Sequence, residues 1–447
     1  MSTPAGSTAS TAVSGATRKA GGRWFTLFTL AWLVIWTAQL TPLQLLLPLQ
    51  LDGLVGGTDW VAGVVASGIV LGIGGFVGVI AGPIAGALSD RGTSRIGRRR
   101  PWALLGTAIT ALCLLLLGLA QGVWQVALAW IGVSVGIAVM SAALTALIAD
   151  QLAARQRGAA SSVVGSAQAV GIVLGVGTVV LLGLGVFDGY VVLAVAVAIV
   201  GTLTALLLPD PPAAVGRHGV GADPANAGTA GSAGLSLSPA RLRDGLASLK
   251  DRDFRWMLGG RLVVNIGNSL GTALFLFFLL YGLHQPHAVA EENLLLLILV
   301  YTLFVVIASI ATGVISDRTG KRRGLTVAAG FVQATCGIAV VILPTFEVTM
   351  IAAALMGLGY GAFSSVGLAF ATDLLPNPAD HARDLGIVNT TAQLGQLIGP
   401  VLGAGLVALV GGFWLVFALS AVLSVVGALM SSMARESAPP SVPDLQA

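Results

Sequence analysis

Twelve long apolar runs divide this chain, and they constrain its fold more than any other feature. They cover residues 25–48, 61–85, 102–120, 124–148, 159–185, 189–208, 256–283, 294–315, 325–344, 348–371, 386–410 and 413–433. Crossing a bilayer takes about 20 apolar residues. Hydrocarbon offers no hydrogen bonds, so a run of this length and composition must satisfy its backbone internally as a helix. Charged residues make up only 9% of the chain, against about 25% in a soluble domain. The expected fold class is therefore an all-α membrane protein of twelve transmembrane helices.

The charges test that count. With twelve spans, the basic residues fall in the N-terminal tail, in the loops after spans 2, 4, 6, 8 and 10, and in the C-terminal tail. Arg261 is the one basic residue inside a run, near the start of span 7. The alternate loops carry acids instead: Asp52, Asp59, Asp188, Glu291, Glu292 and Glu347. The bias of Lys and Arg toward the cytoplasm then predicts a multi-pass protein of the cytoplasmic (inner) membrane with both termini inside. The first run is too long for a signal peptide and reads as a retained span.

The chain also repeats itself. Residues 1–22 read as a disordered cytoplasmic tail, 23–208 as a six-helix bundle, 209–252 as a Pro- and Gly-rich cytoplasmic linker, 253–434 as a second bundle and 435–447 as another tail. Leu242, Leu246 and Leu249 would give the linker's end an amphipathic turn. Gly86-Ala-Leu-Ser-Asp90-Arg91 follows span 2, and Gly313-Val-Ile-Ser-Asp317-Arg318 follows span 8. Span 4 ends at Asp150 and span 10 at Asp373. Paired six-span repeats are a transporter architecture, with the substrate between the halves near the midplane. No Walker loop, metal-ligand spacing or Ser-His-Asp set appears, so an enzyme is not expected, nor a cofactor or metal. A membrane sensor or enzyme on the same scaffold is the alternative from another class.

The doubled Gly-x-x-x-Asp-Arg-x-Gly-[Arg/Lys]-Arg pattern resembles the loop signature of the major facilitator superfamily. Ser89 to Trp102, with Gln39–Pro42 and Ala146–Asp150, resembles the glycoside–pentoside–hexuronide:cation symporters and the plant-type sucrose carriers. That resemblance implies sugar:proton symport through alternating access. The chain lacks the span 5 Arg of the sucrose carriers and the span 5 Gly-Pro of drug:proton antiporters. Export of a drug-like or natural product by antiport stays open. The resemblance also implies a gate of charges at the cytoplasmic edge: Asp90, Arg91, Arg98 and Asp150, and in the second half Asp317, Arg318, Arg322 and Asp373. Asp90 would cap span 11, Arg98 would bridge Asp90 and Asp150, and Asp150 is the proton-coupling candidate.

Polar residues inside the spans mark the substrate path. No Asp, Glu, Lys or His sits at mid-span. Arg261, Asn265 and Asn268 share one face of span 7, and Asn389 and Gln393 one face of span 11. Span 1 offers Trp36, Gln39 and Gln44, with Trp32 beside them and Thr37 and Thr41 on a face with Gln44. Buried amides need partners, which a hydroxyl-bearing solute supplies. The expected partners are a small-molecule solute, a proton or other cation and the lipid bilayer, with no nucleic acid and a monomer as the working unit. An impermeant thiol reagent on intact cells should label a cysteine replacing Asp188. A shielded cysteine at that turn would overturn the orientation.

Overall fold

The computed structural model describes residues 20–55, 57, 59–90, 94, 96–152, 154–210, 251–320, 322–373 and 381–434. The tails and nearly all of the linker, including Leu242, Leu246 and Leu249, lie outside the described residues, as does Arg91. Twelve helices follow the twelve runs. In the first half they are α1 (Gly22–Val55), α2 (Trp60–Asp90), α3 (Arg100–Leu119), α4 (Val123–Gln151), α5 (Ala154–Leu181) and α6 (Val186–Leu207). The second half has α7 (Arg252–Ala273, continued as Phe275–Gly282), α8 (His287–Thr319), α9 (Arg322–Ile342), α10 (Phe346–Asp373), α11 (His381–Val410) and α12 (Trp414–Ser432). Eleven of these are long and apolar enough to cross a membrane, and α7 makes the twelfth across a 40° bend.

The helices pack as two six-helix bundles related by a repeat. The neighbours α1–α5, α2–α4, α3–α4 and α3–α6 recur as α7–α11, α8–α10, α9–α10 and α9–α12. Between halves, α2 packs on α11 and α5 on α8, each contact the image of the other. Small residues permit the close approaches, as membrane helices require. Gly106 and Gly136 bring α3 onto α4, and Gly395, Gly399 and Gly403 lay α11 on Asn265, Ser269 and Leu270 of α7. Pro42 lacks the N–H that would continue the ladder, and α1 widens there into a π-turn over Pro42–Leu46 without stopping. The helix therefore runs on to Val55, seven residues past the end of the apolar run. Asp52 thus lies within it, buried at 6% exposure, and not in an exposed loop.

The two ends of the molecule differ. At the end holding the acidic turns the halves are sealed together. Trp60 of α2 stacks on Tyr281 of α7 (centroids 5.1 Å apart) and on Phe413 ahead of α12 (5.5 Å). The Tyr281 hydroxyl reaches both carboxylate oxygens of Asp52, at 2.8 and 2.7 Å. At the end holding the basic loops the halves part, and the glycines of α2 show where. A side chain at Gly68 would strike Pro400 and Ala404 of α11, one at Gly72 would strike Val401, and one at Gly75 would meet Leu397. Gly78, Gly82 and Gly86 have nothing within 4 Å among the described residues. On α5 the pattern repeats: Gly177 meets Leu295 of α8, whereas Gly158 and Gly165 face open space.

The molecule is thus closed at its acidic end and open at its basic end. The open glycines continue the face that already packs on α11, so closing the basic end brings α11 onto them. Gly78→Leu should leave membrane abundance unchanged and abolish transport by obstructing that closure. Wild-type transport rates in the variant would refute the assignment.

Candidate functional site

The sealed end contains a latch between the halves. Asp52 and Tyr281 lie 229 residues apart in sequence. A hydrogen bond to a charged group contributes about 1.5–3 kcal/mol. The latch and the Trp60 stack together hold the acidic end shut. Opening that end must break both, which makes them a two-state element.

At the basic end, buried charges brace the first half. Gly97 takes φ +120° and turns the chain so that the backbone N–H groups of Arg99 and Arg100 both donate to Asp210 Oδ2, at 2.7 and 2.6 Å. Asp210 follows α6 and so caps the start of α3, where orphan N–H groups favour a carboxylate. Arg100 returns the interaction by donating to the carbonyls of Ala205 and Leu208 at the end of α6. The same turn drives Arg99 inward to 4% exposure. Its Nε donates to Asp150 Oδ2 at 3.0 Å and its Nη1 to Ser89 at 2.9 Å.

Arg99 therefore bridges the ends of α2 and α4. Arg99 reaches Asp150 because the left-handed Gly97 sets the phase of the chain entering α3. This ion pair lies within one half and does not cross to the other. Asp150 keeps 37% of its side chain exposed. Trp24 and Gln151 extend the brace, the indole donating to the amide at 2.8 Å and the amide to the Pro209 carbonyl.

The second half repeats the outline. Gly320 takes φ +66° after α8 and Arg322 opens α9, in the registers of Gly97 and Arg99. Asp317 and Arg318 are exposed at the end of α8, and Arg322 is half-buried. Asp90 and Asp373 are the last residues of α2 and α10, and their side chains lie outside the described part.

Between the two ends lies the polar stripe of α7. Arg261, Asn265 and Asn268 are all at least nine-tenths buried. Asn265 Nδ2 donates to the Arg261 carbonyl at 2.8 Å, while its Oδ1 accepts from Tyr360 of α10 at 3.1 Å. Tyr301 of α8 donates to Asn268 at 3.3 Å. The stripe thus gathers α7, α8 and α10 at one polar centre.

Arg261 itself is unsatisfied. Its Nε and Nη1 have no hydrogen-bond partner among the described residues. Burying an unpaired cation carries a penalty of several kcal/mol. On α11, Gln393 is exposed one turn beyond Leu397, at the fork where α2 and α11 part. Asn389 lies in the same helix, with its side chain outside the described part.

In the first half an aromatic ladder climbs α1. Trp24 stacks on Phe28 (4.7 Å), and Phe28, Trp32 and Trp36 follow at 6.2 Å steps. Trp32 is 6% exposed and faces protein. The indole N–H groups of Trp32 and Trp36 are buried without partners. Gln39 and Gln44 are half-buried further along α1. Thr37 and Thr41 face α5: Thr37 donates to the Gly171 carbonyl, and Thr41 packs against Gly175.

These features agree with what the sequence matches. The family model described as Major Facilitator Superfamily matches residues 93–332 and 261–446. The chain belongs to the Major Facilitator Superfamily. The nucleoside transporter NupG has the same fold, with a TM-score of 0.69 at 14% identity over 92% of this chain and 98% of that one. Curated relatives match shorter stretches. Multidrug resistance protein Stp of Mycobacterium tuberculosis is 28% identical over 150 residues, 31% of this chain and 27% of Stp. The general alpha-glucoside permease of Schizosaccharomyces pombe is 35% identical over 118 residues, 23% of this chain and 21% of the permease.

Family membership makes this facilitator a transporter of a small molecule. Four of its structural residues escape sequence reading. Asp52 and Tyr281 are separated by half the chain, and Arg99 and Asp210 depend on the Gly97 turn. Gly97 and Gly320, recurring before each basic triplet, are the signal that could have located the last two. Tyr281→Phe should loosen the latch: spin labels at Val55 and Val289 should show a longer-distance population that the unsubstituted protein lacks or holds at a lower level. An unchanged distance distribution would remove the latch from the mechanism.

Proposed function

We propose that this facilitator imports a sugar or glycoside by proton-coupled symport, with its basic end in the cytoplasm of the inner membrane. The observation that carries the reading is a set of buried donors without acceptors on both halves: the indoles of Trp32 and Trp36 on α1 and the guanidinium of Arg261 on α7. Buried polar groups are costly unless hydrogen-bonded. A hydroxyl-rich solute offers acceptors to all of them, and indole faces suit a sugar ring. Gln39, Gln44, Asn265, Asn268, Asn389 and Gln393 complete the proposed solute contacts. The stretch shared with the alpha-glucoside permease supports this branch of the family.

In this reading the conformation described above faces inward, with the Asp52–Tyr281 latch closing the outer gate. Asp150 is the proposed proton carrier. It is the partly exposed member of the pair with Arg99, so protonation would cancel the ion pair and free a buried cation. That links proton uptake to movement of α2, α3 and α4. The charges Asp90, Arg91, Arg98, Asp317, Arg318, Arg322 and Asp373 would form the rest of the inner gate. One protein working alone suffices, since each gate is built within a single chain.

A second reading, export of a drug-like solute by proton antiport, draws on the stretch shared with Stp. One experiment separates the two. Cells carrying the protein should take up a labelled glycoside, lose that uptake with a protonophore, and show at least a tenfold lower rate with Asp150→Asn. Higher accumulation of a drug-like dye in cells lacking the protein, with no glycoside uptake in cells carrying it, would favour export and defeat symport.

A further inference from the structure

Among the described residues two arginines are buried, Arg99 and Arg261, and of these Arg99 has its partners. Arg99 spends its guanidinium on Asp150 and Ser89. Arg261 is 8% exposed, and no acceptor reaches its Nε or Nη1 among the described residues. A guanidinium is a donor only and cannot shed its charge by losing a proton in a protein. Its complement has to be an acceptor, and in a buried site the favoured acceptor is an anion.

The neighbouring polar groups do not supply one. Tyr360 gives its proton to Asn265 and Tyr301 gives its proton to Asn268. The Asn265 amide points its NH2 at the backbone carbonyl of Arg261. These bonds hold the stripe in place, and none of its oxygens comes within hydrogen-bond reach of Arg261 Nε or Nη1.

Space is provided as well. A Cβ on Gly367 of α10 would sit 3.3 Å from Arg261 Nη1. The absent side chain leaves a notch on α10 directly against the cation. Arg261 is nine residues into α7 from the basic end, the end at which Gly78, Gly82 and Gly86 show the halves to be parted.

We infer that Arg261 and the notch at Gly367 form an anion site, and that the transported solute carries a carboxylate or phosphate group there or travels with a free anion. The inference rests on the carrier reading above and narrows its substrate to an acidic one or an anion-accompanied one. Arg is suited to the task because its fork presents two parallel donors to a carboxylate or phosphate.

The test is a thermal-shift measurement on purified full-length protein with matched pairs at equal ionic strength: galacturonate with galactose, and benzoate with benzyl alcohol. Galactose 6-phosphate and sodium sulfate complete the panel. At least one anionic compound should raise Tm where its neutral counterpart does not, because a ligand that binds only the folded state stabilises it. Arg261→Gln should raise the concentration needed at least tenfold, Arg261→Lys by less, and Gly367→Val should block the shift while keeping the arginine. Shifts from carboxylates or the sugar phosphate alone assign the anion to the solute, and an equal shift from sulfate assigns it to a free ion.

No shift from any anion, equal shifts from both members of every pair, or an anion preference that survives Arg261→Gln and Gly367→Val would overturn the inference. Proton-driven uptake of a neutral glycoside that is unaffected by Arg261→Gln would also overturn it, yet leave the carrier reading standing. Absence of any solute transport in cells would instead count against the carrier reading.

Discussion

Hydrocarbon supplies no hydrogen bonds, and the structure follows from how this chain meets that constraint. Each apolar run must be a helix, so a chain with twelve of them has few folds open to it. Every polar side chain carried into the bundle needs a partner from within the protein. Most have one: Gln50 donates to the Leu117 carbonyl, Ser420 to the Gly267 carbonyl and Tyr360 to Asn265. Such bonds contribute about 0.6 kcal/mol each on average. Their larger effect is that losing one leaves a polar atom stranded. Groups stranded among the described residues therefore stand out: they include the indoles of Trp32 and Trp36 on α1 and the guanidinium of Arg261 on α7, beside Trp130, Tyr190 and Gln333 elsewhere in the bundles.

The same constraint explains why the conformational change is hinged between the halves and not within them. Inside each bundle, glycines at Gly106, Gly136, Gly395 and Gly399 let backbones touch, and any sliding there would force carbonyls and side chains together. Between bundles, the described residues have α2 meeting α11 and α5 meeting α8 toward the acidic end. There the seal is aromatic stacking plus one hydrogen-bonded carboxylate. At the basic end the ion pair Arg99–Asp150 and the Asp210 cap tie α2, α3, α4 and α6 into one block. The helices of the first half are thus braced as a unit, and the contacts that join it to the second half lie toward the acidic end.

Much of the fold was legible in the sequence, because hydrocarbon makes composition nearly sufficient. Apolar length identifies the spans, the segregation of Lys and Arg checks their number, and the doubled Gly-x-x-x-Asp-Arg stretch reveals the repeat. The candidate site was legible only in part. Helical spacing says that Arg261, Asn265 and Asn268 share a face, and the structure has all three buried together. Spacing cannot say which neighbour a face meets. Thr37 and Thr41 share a face with Gln44, yet that face closes on Gly171 and Gly175 of α5. Nor can it follow a helix past its apolar run, so Asp52 read as part of an outer turn when the π-turn at Pro42 carries α1 onward. Arg98 and Arg99 are indistinguishable in a run of three arginines until the backbone at Gly97 sets the phase.

Arg99 and Arg261 show how one residue type serves two purposes in this bundle. Both are more than nine-tenths buried. Arg99 lies at a helix end within reach of a carboxylate, a hydroxyl and a capped turn, so its charge fastens helices together. Arg261 lies along a helix, beside a glycine, with no acceptor within reach of its Nε or Nη1 among the described residues. A cation whose partner arrives from outside remains a source of differential binding, since a solute that satisfies it stabilises the conformation in which the site is formed. Had α10 carried an acid opposite Arg261, the pair would have joined α7 to α10 permanently. The vacancy opposite that charge is what leaves the solute something to complete.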